Sequence, residues 1–294
     1  VFSTPNRFFA AIGARELPLP VVHDDLQHHA SGCYAAHSGI KHWNRRAEWA
    51  LLTAEKWAAI ASMLGGPAYP TAELARAWQG VLFNQFHDIM AGTSIETAYD
   101  DARNLHGEAL AIADRALTAA TLSVAWQIRT PAEEGTTPIV VFNPHAWPSV
   151  APVELEFGRF GDGDTLLDDA GDPVPVQRVQ SEATALGRNR LCFLAELPAL
   201  GYRTYSVAPG PRAAAALAQP ERDDRRVFLE NEQLRLCFAA DTGWLLSLFD
   251  KRHGVEALHG PAAVPVVLRD ESDTWSHNVF SFHDEAGRFS AESV

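Results

Sequence analysis

The sequence predicts a multidomain α+β protein: an antiparallel three-helix bundle followed by an all-β sandwich that reads as truncated. Three observations carry this expectation. Apolar residues recur at three- and four-residue steps from about residue 40 to residue 130. After Pro131-Ala132-Glu133-Glu134-Gly135 the period falls from 3.6 to 2. With 294 residues and 47% hydrophobic content, the chain can also bury more than one core.

Residues 1–39 are mixed and turn-rich. From there Ile40, Trp43, Ala47, Leu51, Ala54, Trp57, Ala61 and Leu64 mark one face of a helix, and Gly65-Gly66-Pro67 ends it. Pro70-Thr71 opens a second helix through Leu74, Ala77, Val81 and Phe86, with its end expected near Met90-Ala91-Gly92. Thr93-Ser94-Ile95-Glu96 has the form of a capping box. It predicts a third helix through Tyr99, Ala102, Leu105, Ala109, Ile112 and Ala116, ending before Pro131. Short connections between the three make antiparallel neighbours. Residues 40–130 therefore read as the bundle and 131–294 as the β domain. There, "IVVFNP", "APVELEF", "VPVQRV", "RLCFLAEL", "YRTYSV", "VFLENEQLRLCFA" and "GWLLSLFD" are short runs separated by turn signals. Gly210–Arg226 reads as a linker or exposed loop.

Composition excludes several classes. The net charge is -13 and no Lys/Arg run interrupts it, so no nucleic-acid partner and no anionic membrane is expected. No apolar run approaches the roughly 18 residues of a membrane span. Cys33, Cys192 and Cys237 are few, odd in number and far apart, which argues against a disulfide framework and fits a reducing, cytoplasmic setting. There is no G-x-G-x-x-G after a strand, no Walker loop, no H-E-x-x-H and no G-x-S-x-G. Val1–Pro5 has no initiator Met and no signal-peptide n-region, and the chain is expected to be a fragment.

Three clusters could carry chemistry. The first is His87-Asp88 in "LFNQFHDIMAGTSI". An imidazole beside a carboxylate suits a metal or sugar site. It equally suits a helix-end histidine capping carbonyls next to a solvated aspartate. Adjacent helical residues point about 100° apart, so both address one site only where a helix is ending. The second cluster is "HDDLQHHASGCY", with Asp25 and His29, which could hold a metal, supply carboxylates for glycosidic acid/base work, or be a polar loop. The third is Asp273 and Trp275 in "DTWSHN": carboxylate and indole are the usual equipment for gripping a sugar, and equally a turn beside a core Trp. The remaining tryptophans read as core or helix-interface residues.

Together these features resemble the α-mannosidases of glycoside hydrolase family 38, particularly the bacterial kind. "DLQHHASGCYAAHSGIKHWNRRAEWALLTAEK" is similar to the passage from that family's catalytic α/β domain into its helical bundle. "LFNQFHDIMAGTSI" is similar to its helical-domain signature. "VVFNPHAWP", "DDAGDPVPVQ", "LPALGYRTY", "LENEQLRLCFAADTGWLLSLFDK" and "DESDTWSHN" resemble its C-terminal β domain in order. The resemblance implies one zinc at the junction of the α/β and helical parts, with His87 as a ligand and Asp88 against the sugar hydroxyls. It implies that Asp25 and its neighbours, His29 among them, face the substrate, Asp25 as a general acid or a contact; Asp273 and Trp275 are candidate substrate contacts on their chemistry alone. It implies retaining hydrolysis of terminal α-mannosides on mannose-containing oligosaccharides. It makes residues 1–39 the tail of a catalytic domain whose N-terminal part, with the H-x-D zinc motif and the nucleophile, has no counterpart in this chain. The isolated chain is accordingly expected to be inactive. Readings from other classes are a carbohydrate-binding or structural module without catalysis, and an interaction scaffold.

Overall fold

The computed structural model describes residues 2–15, 17–23, 30–130, 134–157, 160–181, 189–211, 213, 220–277, 279 and 282–292. Asp25 and His29 lie outside the described residues. The helices are α1 (Pro5–Gly13), α2 (Gly32–Ala35), α3 (Ser38–Met63), α4 (Thr71–Asn84), α5 (His87–Met90) and α6 (Glu96–Ala125). Helix α1 buries none of its residues; Thr4 caps its start and Pro5 occupies its first turn, so local signals suffice for it.

Helices α3, α4 and α6 share one core of Ala47, Leu51, Ala54, Leu74, Ala77, Val81, Ala109, Ile112 and Ala113. Five of these nine are alanine, which lets the helix surfaces approach closely. The apolar stripe read from the sequence is the buried one along α3 from Ile40 to Ala61, while Leu64 is exposed.

Two local expectations fail here, both because of tertiary contacts. The second helix does not run to Met90. It stops at Asn84, Phe86 adopts extended ψ 142, and α5 restarts at His87. Asn84 is buried and donates to the Ala102 carbonyl at 3.4 Å; Gln85 reaches across to Asn44 at 3.1 Å and Glu48 at 2.9 Å. These ties hold the chain where the helix would otherwise continue. The capping box does not form either. Helix α6 begins at Glu96 after an extended Ile95 with no side-chain cap. The Ser94 N–H donates instead to the Tyr99 hydroxyl at 2.9 Å, and Thr93 Oγ1 turns to the Asp88 carbonyl at 3.5 Å.

The strands are β1 (Thr137–Phe142), β2 (Ser149–Phe157), β3 (Asp164–Leu167), β4 (Pro173–Val174), β5 (Val176–Val179), β6 (Asn189–Leu197), β7 (Tyr202–Pro209), β8 (Glu221–Arg222), β9 (Arg226–Glu230), β10 (Leu234–Ala239), β11 (Leu245–Asp250), β12 (Val255–Glu256), β13 (Val266–Leu268) and β14 (Glu285–Arg288). Among the described residues they form four antiparallel sheets in the orders β1-β7-β3-β4, β2-β6-β5, β12-β11-β10-β9-β8 and β13-β14. The first two sheets bury one core: Ile139, Leu166, Tyr205 and Val207 from one, Val176, Leu191, Phe193 and Ala195 from the other. The chain is thus α+β with antiparallel sheets. Part of the expected Gly210–Arg226 linker is strand, since β8 and the start of β9 fall within it.

Helices and strands are joined directly. Phe142 packs edge-on against Trp57 at 4.7 Å, and Lys56 donates to the Pro144 carbonyl at 3.1 Å. The Asn-Pro of "VVFNP" is a structural corner: buried Asn143 donates to the carbonyls of Trp147 at 2.9 Å and Pro198 at 2.8 Å. Of the tryptophans expected in the core, Trp57 is buried, but Trp49, Trp126 and Trp147 are exposed. Trp49 lies off the buried stripe of α3, Trp126 follows the end of α6, and Trp147 lies between β1 and β2.

Candidate functional site

His87 opens α5, a single helical turn, and its imidazole is 75% exposed. The Asp88 carboxylate, 55% exposed, is its nearest charged neighbour at 3.8 Å, beyond hydrogen-bond reach. The Phe86 ring lies beside the imidazole at 4.2 Å and is itself exposed. Neither polar side chain of the pair therefore spends its hydrogen-bonding capacity on the fold.

What holds this turn is its backbone. Met90 O accepts from Lys41 Nζ at 3.0 Å, and the same ammonium donates to Ala36 O at 2.7 Å. The Tyr99 hydroxyl lies 3.4 Å from both the Asp88 and Ile89 carbonyls, so one hydroxyl proton serves the pair. Tyr99 is in turn stacked on His37 at 4.0 Å and 19°. His37, in the left-handed region at φ 47, caps α3 by accepting from the Ile40 N–H at 3.3 Å. Gly92, at φ 81, lies so close to the Ala36 carbonyl that a side chain would collide with it. Glycine is needed there on both counts.

The "DTWSHN" loop converges on the same place. Asp273 Oδ2 pairs with His277 Nδ1 at 2.6 Å, while its Oδ1 accepts from the N–H groups of Trp275 at 3.0 Å and His277 at 3.2 Å. These bonds, the imidazole first, hold its carboxyl below the usual carboxylate range. Asp273 is thus committed inside its own loop. Trp275 is half-buried with its ring stacked loosely on His277, and its carbonyl accepts from the Gly32 N–H at 3.4 Å. A side chain at Gly32 would stand 2.5 Å from the Thr274 carbonyl oxygen. Two open clefts flank this junction. One of 570 Å³ is lined by His37, Trp43, Gly92, Tyr99, Arg103 and Thr274 among others, and one of 500 Å³ by Ser31, Asp270, Asp273, Thr274 and Phe282 among others. Ala36 and Thr274 line both, and His87 lines neither.

The structure therefore gathers the segment after "DLQHH", the "HDIMAGTS" turn and the "DTWSHN" loop around Ala36. An apolar cavity of 220 Å³ beside Ala61, Pro67 and Ile112 lies near the start of α4. His87 follows the end of that 14-residue helix, roughly 20 Å away along its axis. That cavity belongs to helix packing. Among the described residues, no group of three or more His, Cys, Asp or Glu side chains could hold a metal. His87 could supply one donor. Sequence reasoning passed over Lys41 and Tyr99. The one available signal was that Lys41 is one of three lysines among 24 basic residues.

Antiparallel sheets joined to helices define an α+β protein, with a His-Asp pair exposed on a pinned turn. Comparison with known proteins finds similarity to α-mannosidases. Residues 28–122 match the model of the "Alpha mannosidase middle domain". The chain is 26% identical over 267 residues to Alpha-mannosidase 2C1 of Mus musculus, covering 87% of this chain and 22% of that protein. It is 26% identical over 287 residues to the Lysosomal alpha-mannosidase of Homo sapiens, covering 85% and 27%. An alpha-mannosidase from Enterococcus faecalis V583 has the same fold with a TM-score of 0.62 and 21% identity, over 87% of this chain and 34% of that one. Residues 28–122 thus match an α-mannosidase middle-domain model, and the curated proteins to which the chain is similar are α-mannosidases. The chain spans about a quarter of the length of these curated relatives. No described helix is long and apolar enough to cross a membrane.

Proposed function

We propose that this chain is part of a cytoplasmic, zinc-dependent, retaining exo-α-mannosidase acting on mannose-containing oligosaccharides. In this reading residues 1–39 end the catalytic α/β domain, 40–130 are the three-helix bundle and 131–294 a β-sandwich. The observation that carries it is the His87-Asp88 pair: two exposed polar side chains without a hydrogen bond among the described residues, on a turn whose backbone is tied down at both ends.

An exposed imidazole with no hydrogen bond among the described residues fits a zinc ligand. One histidine does not fill a zinc shell, so the other donors would come from residues beyond the described ones. Zinc, when bound, would polarise sugar hydroxyls. His87 would fix where that ion stands. Asp88 would accept from a sugar hydroxyl and aid the rate to the extent that this bond tightens in the transition state. In a retaining reaction one carboxylate attacks the anomeric carbon while a carboxylic acid protonates the leaving oxygen. Asp25 is the candidate acid of this chain and His29 a candidate substrate contact; the nucleophile would be supplied by another part of the whole protein. Trp275 would offer an indole face to the sugar, and Asp273 would act by shaping the loop that presents it.

The test is His87→Ala in the full-length protein, with bound zinc measured by elemental analysis and hydrolysis of an aryl α-mannoside measured alongside. Both are expected to fall together. Stoichiometric zinc in an inactive or active variant would show His87 to be no ligand. The purified 294-residue chain by itself is expected to show no turnover.

A further inference from the structure

We infer that Lys41 is the positioning residue for His87, a cation that clamps two separate helix ends and so sets where the imidazole stands. This rests on the proposed role of His87 as a metal ligand.

A one-turn helix has no stability of its own, because nucleation costs more than one turn of hydrogen bonds returns. Helix α5 must therefore be held from outside, and its last carbonyls are the groups left without helical partners. Lys41 supplies the hold. Its ammonium donates to the carbonyl of Met90, the last residue of α5, and to that of Ala36, the residue that ends α2. Both are the negative ends of helical turns, where a cation is favoured. Among the described residues its hydrogen-bond partners are these two carbonyls, and no carboxylate contributes to its titration. Burial pushes the Lys41 ammonium below the usual lysine range, with Cys33 acting the other way, so the placement is costly and the two carbonyl bonds are what it makes in return.

The clamp joins segments 49 and 5 residues away from Lys41 in sequence. One follows the "DLQHH" cluster; the other carries His87. Lys41 itself is rooted in the first turn of α3, just after His37 caps that helix and stacks on Tyr99. Tyr99 then gives α5 its second tie from α6. The anchors thus come from the two longest helices, which pack on a common core with α4. Because neither anchor touches the His87 imidazole, Lys41 acts through the backbone and not on the substrate.

The experiment uses the full-length protein that contains this chain, with Lys41→Met, Lys41→Arg and Lys41→Gln beside His87→Ala. Zinc affinity is read by competition with a chromophoric chelator, together with Tm, kcat and KM on an aryl α-mannoside. Lys41→Met is expected to weaken zinc about tenfold, the scale of a lost outer-shell tie. It should lower kcat while KM stays within about twofold, the signature of misplacement rather than lost binding. Lys41→Arg, which can also donate to two carbonyls, should recover most of the affinity, and Lys41→Gln should fall between. A Lys41→Met protein with lowered Tm but wild-type zinc affinity and kcat would overturn the inference and leave His87 a ligand. Should Lys41→Met fail to fold, wild-type affinity in Lys41→Gln has the same meaning. If His87→Ala keeps its zinc, the ligand reading falls first and the positioning role falls with it.

Discussion

Two of the exposed histidine-aspartate pairs, His87-Asp88 and Asp273-His277, differ in what their carboxylates are doing. At His87-Asp88 the closest approach is 3.8 Å, and neither side chain makes a hydrogen bond among the described residues. At Asp273-His277 it is 2.6 Å, and the carboxylate also holds two backbone N–H groups. Exposure alone does not separate them, since both imidazoles are more than half exposed. Hydrogen-bond use does. The second pair builds a loop. The first stands on a turn built by other residues, which leaves it available to an ion or a ligand.

The strongest way to break this distinction is to truncate both histidines in the full-length protein. His87→Ala is predicted to reduce zinc affinity more than about a hundredfold, beyond the range of outer-shell changes, with activity lost in parallel. His277→Ala is predicted to leave bound zinc unchanged. Equal zinc contents in the two variants, by elemental analysis, would erase the contrast.

A smaller effect is expected at Gly92, which lets the turn approach Ala36. Gly92→Ala places a side chain at φ 81 and against the Ala36 carbonyl. A left-handed alanine alone costs about 1–2 kcal/mol, and the collision adds to it. Thermal unfolding should register the loss, and zinc affinity should fall with it. An unchanged Tm would mean that the two segments are not closely docked.

The pair was legible in the sequence as letters; its support was not. "FHD" at a helix break pointed to His87 and Asp88. The break itself was misplaced by several residues, because Asn84 and Gln85 end α4 through partners on other helices. The Thr93-Glu96 signature was real as a pattern, but Tyr99 took the Ser94 N–H that starts the next helix. Lys41 was invisible because it acts on carbonyls, which every residue has, 49 positions away. The long helices and most strands were legible because burial imposes a period on their side chains. Short β3 is not, since its four residues follow the Gly161-Asp162-Gly163 turn signals and establish no period of their own.

A pH effect separates the helical core from both pairs. His106 is buried, with Nδ1 2.8 Å from the Ala102 carbonyl and beside Asn84 at 3.3 Å, and burial pushes it below its usual 6.5. The unfolded chain therefore takes up a proton near pH 6.5 that the folded chain refuses. Stability is predicted to decline as pH falls below that value. His106→Gln should flatten this slope in denaturant unfolding between pH 7 and 5; an identical slope would place the proton elsewhere.

The smallest predicted effect is local and lies in the loop pair. Hydrogen bonds hold the Asp273 carboxyl below the usual range, so its folded pKa is depressed relative to the unfolded chain. Its contribution is in place above the ordinary carboxylate pKa and is lost only as pH falls through the lower, folded one. At neutral pH the amides of Trp275 and His277 should be protected from hydrogen exchange, and Asp273→Asn should release them while zinc binding persists. Asparagine keeps one acceptor oxygen but loses the charge that pairs with His277. If that variant lost zinc along with amide protection, the loop would belong to the metal site, and the division between the two pairs would have to be abandoned.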